Sequence, residues 1–131
     1  MSINSKLIHT QEGYDALLEL SHSQPVMLFK YSPVCPVSHR AAHEHDGWKN
    51  IETRQISSYE IDVVGSRTVS QYIAEQSGVK HESPQALLFD KGKVVWHSSH
   101  WDLTSHAFFT AANEVLDEEL NPEPVDIGAD I

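Results

Sequence analysis

Apolar and polar positions along the chain fall into two kinds of pattern, short continuous runs and helical spacings, and these alternate. Between Gln11 and Leu20, the side chains of Tyr14, Leu17, Leu18 and Leu20 gather on roughly one face, with Thr10 placed to cap the first turn. This predicts a helix over about residues 11–22. Pro25 to Tyr31 is a continuous apolar run opened by a proline, which predicts a strand covered on both faces, as in parallel sheets. Good helix formers follow from Cys35 to His45, and Gly47 is expected to stop that helix. Ile56, Tyr59, Ile61, Val63 and Val64 place one strand between Thr53 and Val64. Ser66 then stands as a cap for a helix with Val69, Tyr72, Ile73 and Ala74 on its inner side and Gly78 at its C-terminal end. Gln85–Phe89 and Val94–His97 read as strands, joined by Asp90-Lys-Gly-Lys93, whose glycine supplies the positive φ of a tight hairpin. Phe108, Phe109, Ala112, Val115 and Leu116 recur at helical spacing and predict a last helix from Thr104 to about Leu116, with both phenylalanines in the core.

A βαβ unit followed by a hairpin and a closing helix defines the expected fold class. It is α/β, a thioredoxin-like fold with a central mixed four-stranded sheet and helices on both faces. No internal repeat is visible. One domain over residues 1–116 and an acidic C-terminal tail over residues 117–131 account for the chain. Six acidic side chains and no basic ones stand from Asp117 to Ile131, with Pro122 and Pro124, so the tail is expected to be partly disordered.

Charge narrows the partners. Nineteen acidic residues against nine Lys and Arg give a formal net charge of −10, which argues against nucleic acid and anionic membrane surfaces, because phosphate binding needs clustered cations. No apolar run approaches the ~20 residues that cross a bilayer. The N-terminal sequence lacks the apolar segment of a signal peptide, and a lone cysteine suits a reducing compartment, so a cytoplasmic location is expected.

That cysteine, Cys35, is the centre of the candidate chemistry. It stands between a predicted strand and a predicted helix, where the unpaired N–H groups of the first turn and the positive end of the peptide dipoles favour a thiolate. Pro36 fits the first helical position, where its missing N–H costs nothing. Ser38 occupies the second-thiol position of a Cys-x-x-Cys motif, which makes the site monothiol. Its hydroxyl either donates to the thiolate or faces solvent. A buried, inert Cys35 is the alternative to a reactive one. His39 is close enough in sequence to help hold the thiolate. Ser83-Pro84 precedes the strand at Gln85, a poor start for a central strand with a trans bond. Thioredoxin folds carry a cis-proline there, facing the reactive cysteine, so Pro84 is expected to turn the Ser83 backbone toward a substrate. An ordinary strand-edge proline is the other reading. Arg67 either holds a carboxylate of a small thiol or forms a surface ion pair. Nine histidines raise the question of a metal, with His39 and His43 four apart and Glu44 and His45 beside them. No third ligand is fixed by spacing, so exposed polar histidines and no metal are expected. His97, His100 and Trp101 read as fold-packing residues.

Several segments together resemble a known family, the monothiol bacilliredoxins, thioredoxin-like proteins of the bacillithiol system. They are Leu28-Phe-Lys-Tyr-Ser32 leading to Cys35-Pro-Val-Ser38, then Ser66-Arg-Thr-Val-Ser70, Gly78-Val-Lys-His-Glu-Ser-Pro-Gln85 and Val94-Val-Trp-His-Ser-Ser-His-Trp101. The resemblance implies a thiol–disulfide oxidoreductase that removes bacillithiol, or another low-molecular-weight thiol, from mixed disulfides on protein cysteines. It further implies no bound cofactor, with the small thiol as co-substrate. Its partners would be S-thiolated proteins and a recycling redoxin or reductase that uncaps Cys35 from outside. Two alternatives belong to other classes: an iron–sulfur cluster carrier like the monothiol glutaredoxins, which Pro36 counts against, and a redox-inactive thioredoxin-like adaptor.

Overall fold

The structure is a computed structural model and describes residues 5–120, with side chains described through residue 117. In chain order the elements are β1 (Ser5–Leu7), α1 (Gln11–Leu20), β2 (Val26–Tyr31), α2 (Pro36–Lys49), β3 (Ser57–Asp62), α3 (Arg67–Ser77), β4 (Gln85–Asp90), β5 (Lys93–Ser99), a 3-10 turn (His100–Asp102) and α4 (Ser105–Leu120). The strands form one mixed sheet in the order β1-β3-β2-β4-β5. β2 runs parallel to β3, with Val26 opposite Ser57 and Tyr31 opposite Asp62, and antiparallel to β4, with Lys30 opposite Gln85.

Five strands replace the four expected. β1 is three residues, Ser-Lys-Leu, with no apolar alternation to announce it, and its pairing with β3 from Ser5↔Ser58 to Leu7↔Glu60 is what makes it a strand. The alternating side chains of β2 divide the core. Met27 and Phe29 face α2 and α4 and pack with Trp48, Phe108 and Ala112, whereas Val26 and Leu28 face α1 and α3 and pack with Tyr14, Leu17 and Ile73. Fully burying one such side chain contributes about 1.5–3 kcal/mol. Of the two adjacent phenylalanines, Phe108 is fully buried and Phe109 packs against that core half-exposed.

Caps and turns follow their chemistry with two exceptions. The Thr10 hydroxyl accepts from Gly13 N at 3.0 Å, Gly78 ends α3 at φ 75°, and Gly92 closes the hairpin at φ 79°. Ser66 precedes α3, but its side chain caps nothing. Instead Asp62 Oδ1 accepts from both Val64 N and Gly65 N at 2.9 Å, turning the chain into the helix. Gly47 does not stop α2, which continues to Lys49. A Cβ there would stand 2.8 Å from Ser105 Oγ, so glycine serves the close approach of the α4 N-terminus. Ser105 fastens that approach, its N–H donating to Glu44 Oε1 at 2.9 Å and its hydroxyl to Glu44 O at 2.7 Å. The last helix, α4, runs past residue 116 to Leu120, so residues 117–120 of the expected tail are helical, and the rest of that tail, residues 121–131, lies outside the described residues. Among the described residues, no helix is long and apolar enough to cross a membrane.

Candidate functional site

β2 is where the chain changes direction across the sheet. The β2–α2–β3 connection covers one face, and α3 then crosses the other on the way to β4. Crevices beyond the carboxyl end of such a strand are where α/β sheets bind ligands. Cys35 lies just past that end, as the N-cap of α2, half-exposed and with extended backbone (φ −102°, ψ 122°). Pro36 takes the first helical position as expected.

Helix geometry then acts on the sulfur. The Ser38 backbone N–H holds the Cys35 thiol below its ordinary pKa, and the Val37 N–H and the Ser38 hydroxyl add to this, against a smaller opposing pull from desolvation. The thiol makes no capping hydrogen bond of ordinary length and angle, so it is a polarised sulfur near a helix terminus. Ser38 does not face solvent. It is fully buried, and its Oγ accepts from Ser32 N at 3.0 Å, which leaves the hydroxyl hydrogen available to the sulfur. The turn is closed by Cys35 N–H donating to Ser32 O at 3.2 Å, and by His39 Nε2 donating to Pro33 O at 2.6 Å. His39 is thus a clasp on the loop that carries Cys35.

The Ser83–Pro84 bond is cis, and Pro84 is buried immediately before the Gln85–Lys30 pair. Pro84 O accepts from His100 N at 2.9 Å, and the Ser83 hydroxyl is buried with no hydrogen-bond partner among the described residues. The loops that carry Cys35 and Pro84 therefore share one end of the sheet. The loop after β3 joins them, through Val63 N donating to Tyr31 O at 2.9 Å. Arg67 opens α3 from this loop. It is exposed, forms no ion pair among the described residues, and lines a cleft of about 220 Å³ with Val63, Val64, Ser70, Gln71 and His81.

Histidines depart from expectation in both directions. His45 is not exposed: it is buried among the rings of Phe29, Trp48 and Phe108, with Nε2 2.9 Å from Ser58 Oγ. Burial, helped by the nearby Lys49 charge, pushes its pKa down to about 3. Among the described residues, no group of three or more His, Cys, Asp or Glu is placed to hold a metal ion. His97, His100 and Trp101, expected to pack the fold, are exposed, and the Arg40 guanidinium lies 5.1 Å from the Trp101 ring centroid. His100 and Trp101 leave the sheet where β5 ends, and His97 lies within β5, the edge strand of the sheet.

One buried cation had no place in the sequence reading. Lys30, within the apolar run of β2, is fully buried, and its Nζ donates to Gln85 Oε1 at 3.0 Å. Burial pushes its pKa down to about 8, while Glu82 pulls it back up. A lysine inside a run covered on both faces is the signal that marks it, since lysine is almost never buried without a partner.

Comparison with known proteins agrees with this geometry. The profile of the monothiol bacilliredoxin BrxC family matches residues 6–108. Among solved structures, a thioredoxin-fold protein proposed to be an oxidoreductase superposes with a TM-score of 0.73 at 29% identity, covering 82% of this chain and 92% of its own. Fasciola hepatica thioredoxin gives 0.67 at 13% identity, covering 83% and 97%, and the oxidised thioredoxin from Plasmodium falciparum gives 0.66 at 13%, covering 86% and 98%. The thioredoxin fold and a thiol redox role follow. This chain belongs to the monothiol bacilliredoxin family.

Proposed function

We propose that the protein removes a low-molecular-weight thiol, bacillithiol in hosts that make it, from mixed disulfides on protein cysteines. The observation that carries this reading is the position of the sole cysteine, Cys35, at the N-cap of α2, with Ser38 buried behind it. In the reaction, the Cys35 thiolate attacks the small-thiol sulfur of the mixed disulfide. The new Cys35–small-thiol bond forms as the old S–S bond breaks, and the protein cysteine leaves as a thiolate that takes up a proton. No electrons are gained or lost overall. With no second cysteine in the chain, the cap leaves when an external thiol, free or on a recycling redoxin, attacks it. Ser38 serves to favour the thiolate, His39 to hold the loop, and the cis Ser83–Pro84 segment to present backbone beside the sulfur. A reducing, cytoplasmic setting suits this chemistry.

Intact-mass measurement after mixing with a bacillithiol-modified test protein tests the reading. Cys35 is expected to gain one small thiol as the test protein loses one, and Cys35→Ser to remain unchanged. If the wild-type mass stays constant, or Cys35→Ser strips the test protein equally well, the exchange reading fails and the adaptor reading takes its place.

A further inference from the structure

We propose that the cleft between the β3–α3 loop and His81, with Lys30 buried behind it, is a carboxylate-binding subsite for the small thiol carried by Cys35; this rests on the exchange reading above. Two cation-capable side chains, Arg67 and His81, line it, and a third, Lys30, is buried in β2 within reach of the His81 charge. Arg67 lines the cleft from the first turn of α3 and has no carboxylate partner among the described residues. His81 lines it from the opposite side, its Nδ1 3.2 Å from Ser70 Oγ, which leaves Nε2 for a ligand. Lys30 approaches from the sheet, and its bond to Gln85 ties it to the segment that carries His81, because Gln85 Nε2 donates to Lys80 O at 3.0 Å. The groups sense one another: after burial, the charges of Lys30 and Arg67 both push the His81 pKa down, opposed by Glu82.

Lys30 is the decisive member. A buried ammonium is normally paired with a carboxylate, because desolvating an uncompensated charge is costly. Here its hydrogen-bond partner is a neutral amide, and no ion pair joins it among the described residues. The acid whose charge reaches it, Glu82, is turned to Ser99, whose hydroxyl donates to its Oε2 at 2.6 Å. An anion entering the cleft would supply the missing counter-charge, with Arg67 offering a two-pronged contact. The cleft opens at the same end of the sheet as Cys35, since Val63 is bonded to Tyr31 at the end of β2 and Pro84 adjoins the Lys30–Gln85 pair.

The test compares rates of transfer to Cys35 from one test protein capped with mercaptosuccinate and the same protein capped with 2-mercaptoethanol. The wild-type rate ratio is expected to favour mercaptosuccinate by about tenfold, the size of one charge-assisted contact. That ratio should fall toward one in Arg67→Gln and in Lys30→Met, and in wild type at high salt. Arg67 is exposed, so its variant keeps the fold. Thermal unfolding of Lys30→Met separates a stability effect from the ratio, which a purely structural lysine would leave unchanged. A wild-type ratio near one, or a ratio unaltered in both variants, overturns the subsite while the Cys35 chemistry stands. Absence of transfer from both capped proteins while the bacillithiol-modified protein still reacts overturns the subsite alone; absence from all three refutes the exchange reading and this proposal with it.

Discussion

His45 ties the stability of the fold to pH, and its contribution can be worked out from its surroundings. It is 1% exposed, enclosed by Phe29, Trp48 and Phe108, and its pKa is lowered to about 3 from an unfolded value of about 6.5. Above pH ~6.5 the imidazole is neutral in both states and costs nothing. Below that, the unfolded chain takes up a proton that the folded chain refuses, so stability falls as the pH is lowered. For one such group the slope approaches about 1.4 kcal/mol per pH unit, so lowering the pH from about 6.5 to about 4.5 removes roughly 2–3 kcal/mol. Depressed carboxylates such as Glu52 add to acid destabilisation only below their own unfolded range, near pH ~4.3. Denaturant unfolding across this range, with wild type beside His45→Phe, isolates the histidine. The variant strands the Ser58 hydroxyl, which costs about 1–3 kcal/mol at every pH. Its curve should be lower at neutral pH yet flatter below it. Parallel curves for the two proteins would show that His45 titrates normally in the folded state and refute the linkage.

Other substitutions probe the site and its frame. Ser38→Ala removes the hydroxyl that supports the thiolate and strands Ser32 N–H, so Cys35 should alkylate several-fold more slowly at mildly acidic pH, as rates against iodoacetamide will show. Lys30→Met replaces a buried charge by an apolar chain and is expected to raise stability at neutral pH by roughly 1–3 kcal/mol, measured by urea unfolding. The sign follows from its lowered pKa: the folded state is penalised while the lysine is charged, and wild type should recover as the pH rises from about 8 toward 10.5. Gly78→Ala meets no neighbour within 4 Å but must adopt φ 75°, so a loss of about 1 kcal/mol is expected in the same assay.

Local chemistry made some elements legible in the sequence. Pro25–Tyr31, the Cys35-Pro36 helix start, Gly78 and Gly92 each have one physical solution, and the structure adopts it. Tertiary contacts decided the others. β1 exists through β3, Gly47 lies inside the last turn of α2 because Ser105 needs the space, and His45 faces inward through its place on α2, opposite Phe29. At the site, Cys35 could be read from its neighbours in sequence, and Pro84 from its place in the expected fold. The cleft that Arg67 and His81 share could not, because the β3–α3 connection and the pre-β4 loop bring its residues together from separate segments. Trp101 escapes sequence reasoning for the same reason, since its aromatic character suggests a core position that the end of β5 does not offer.

The most direct test of the account is the rate at which Cys35 takes up the small thiol as a function of pH, followed by intact mass. A thiolate held by Ser38 and the first turn of α2 predicts a rate that stays near its plateau well below pH ~8.5 before it declines. A rate that falls tenfold for each pH unit below about 8.5 would mark Cys35 as an ordinary thiol and contradict the account.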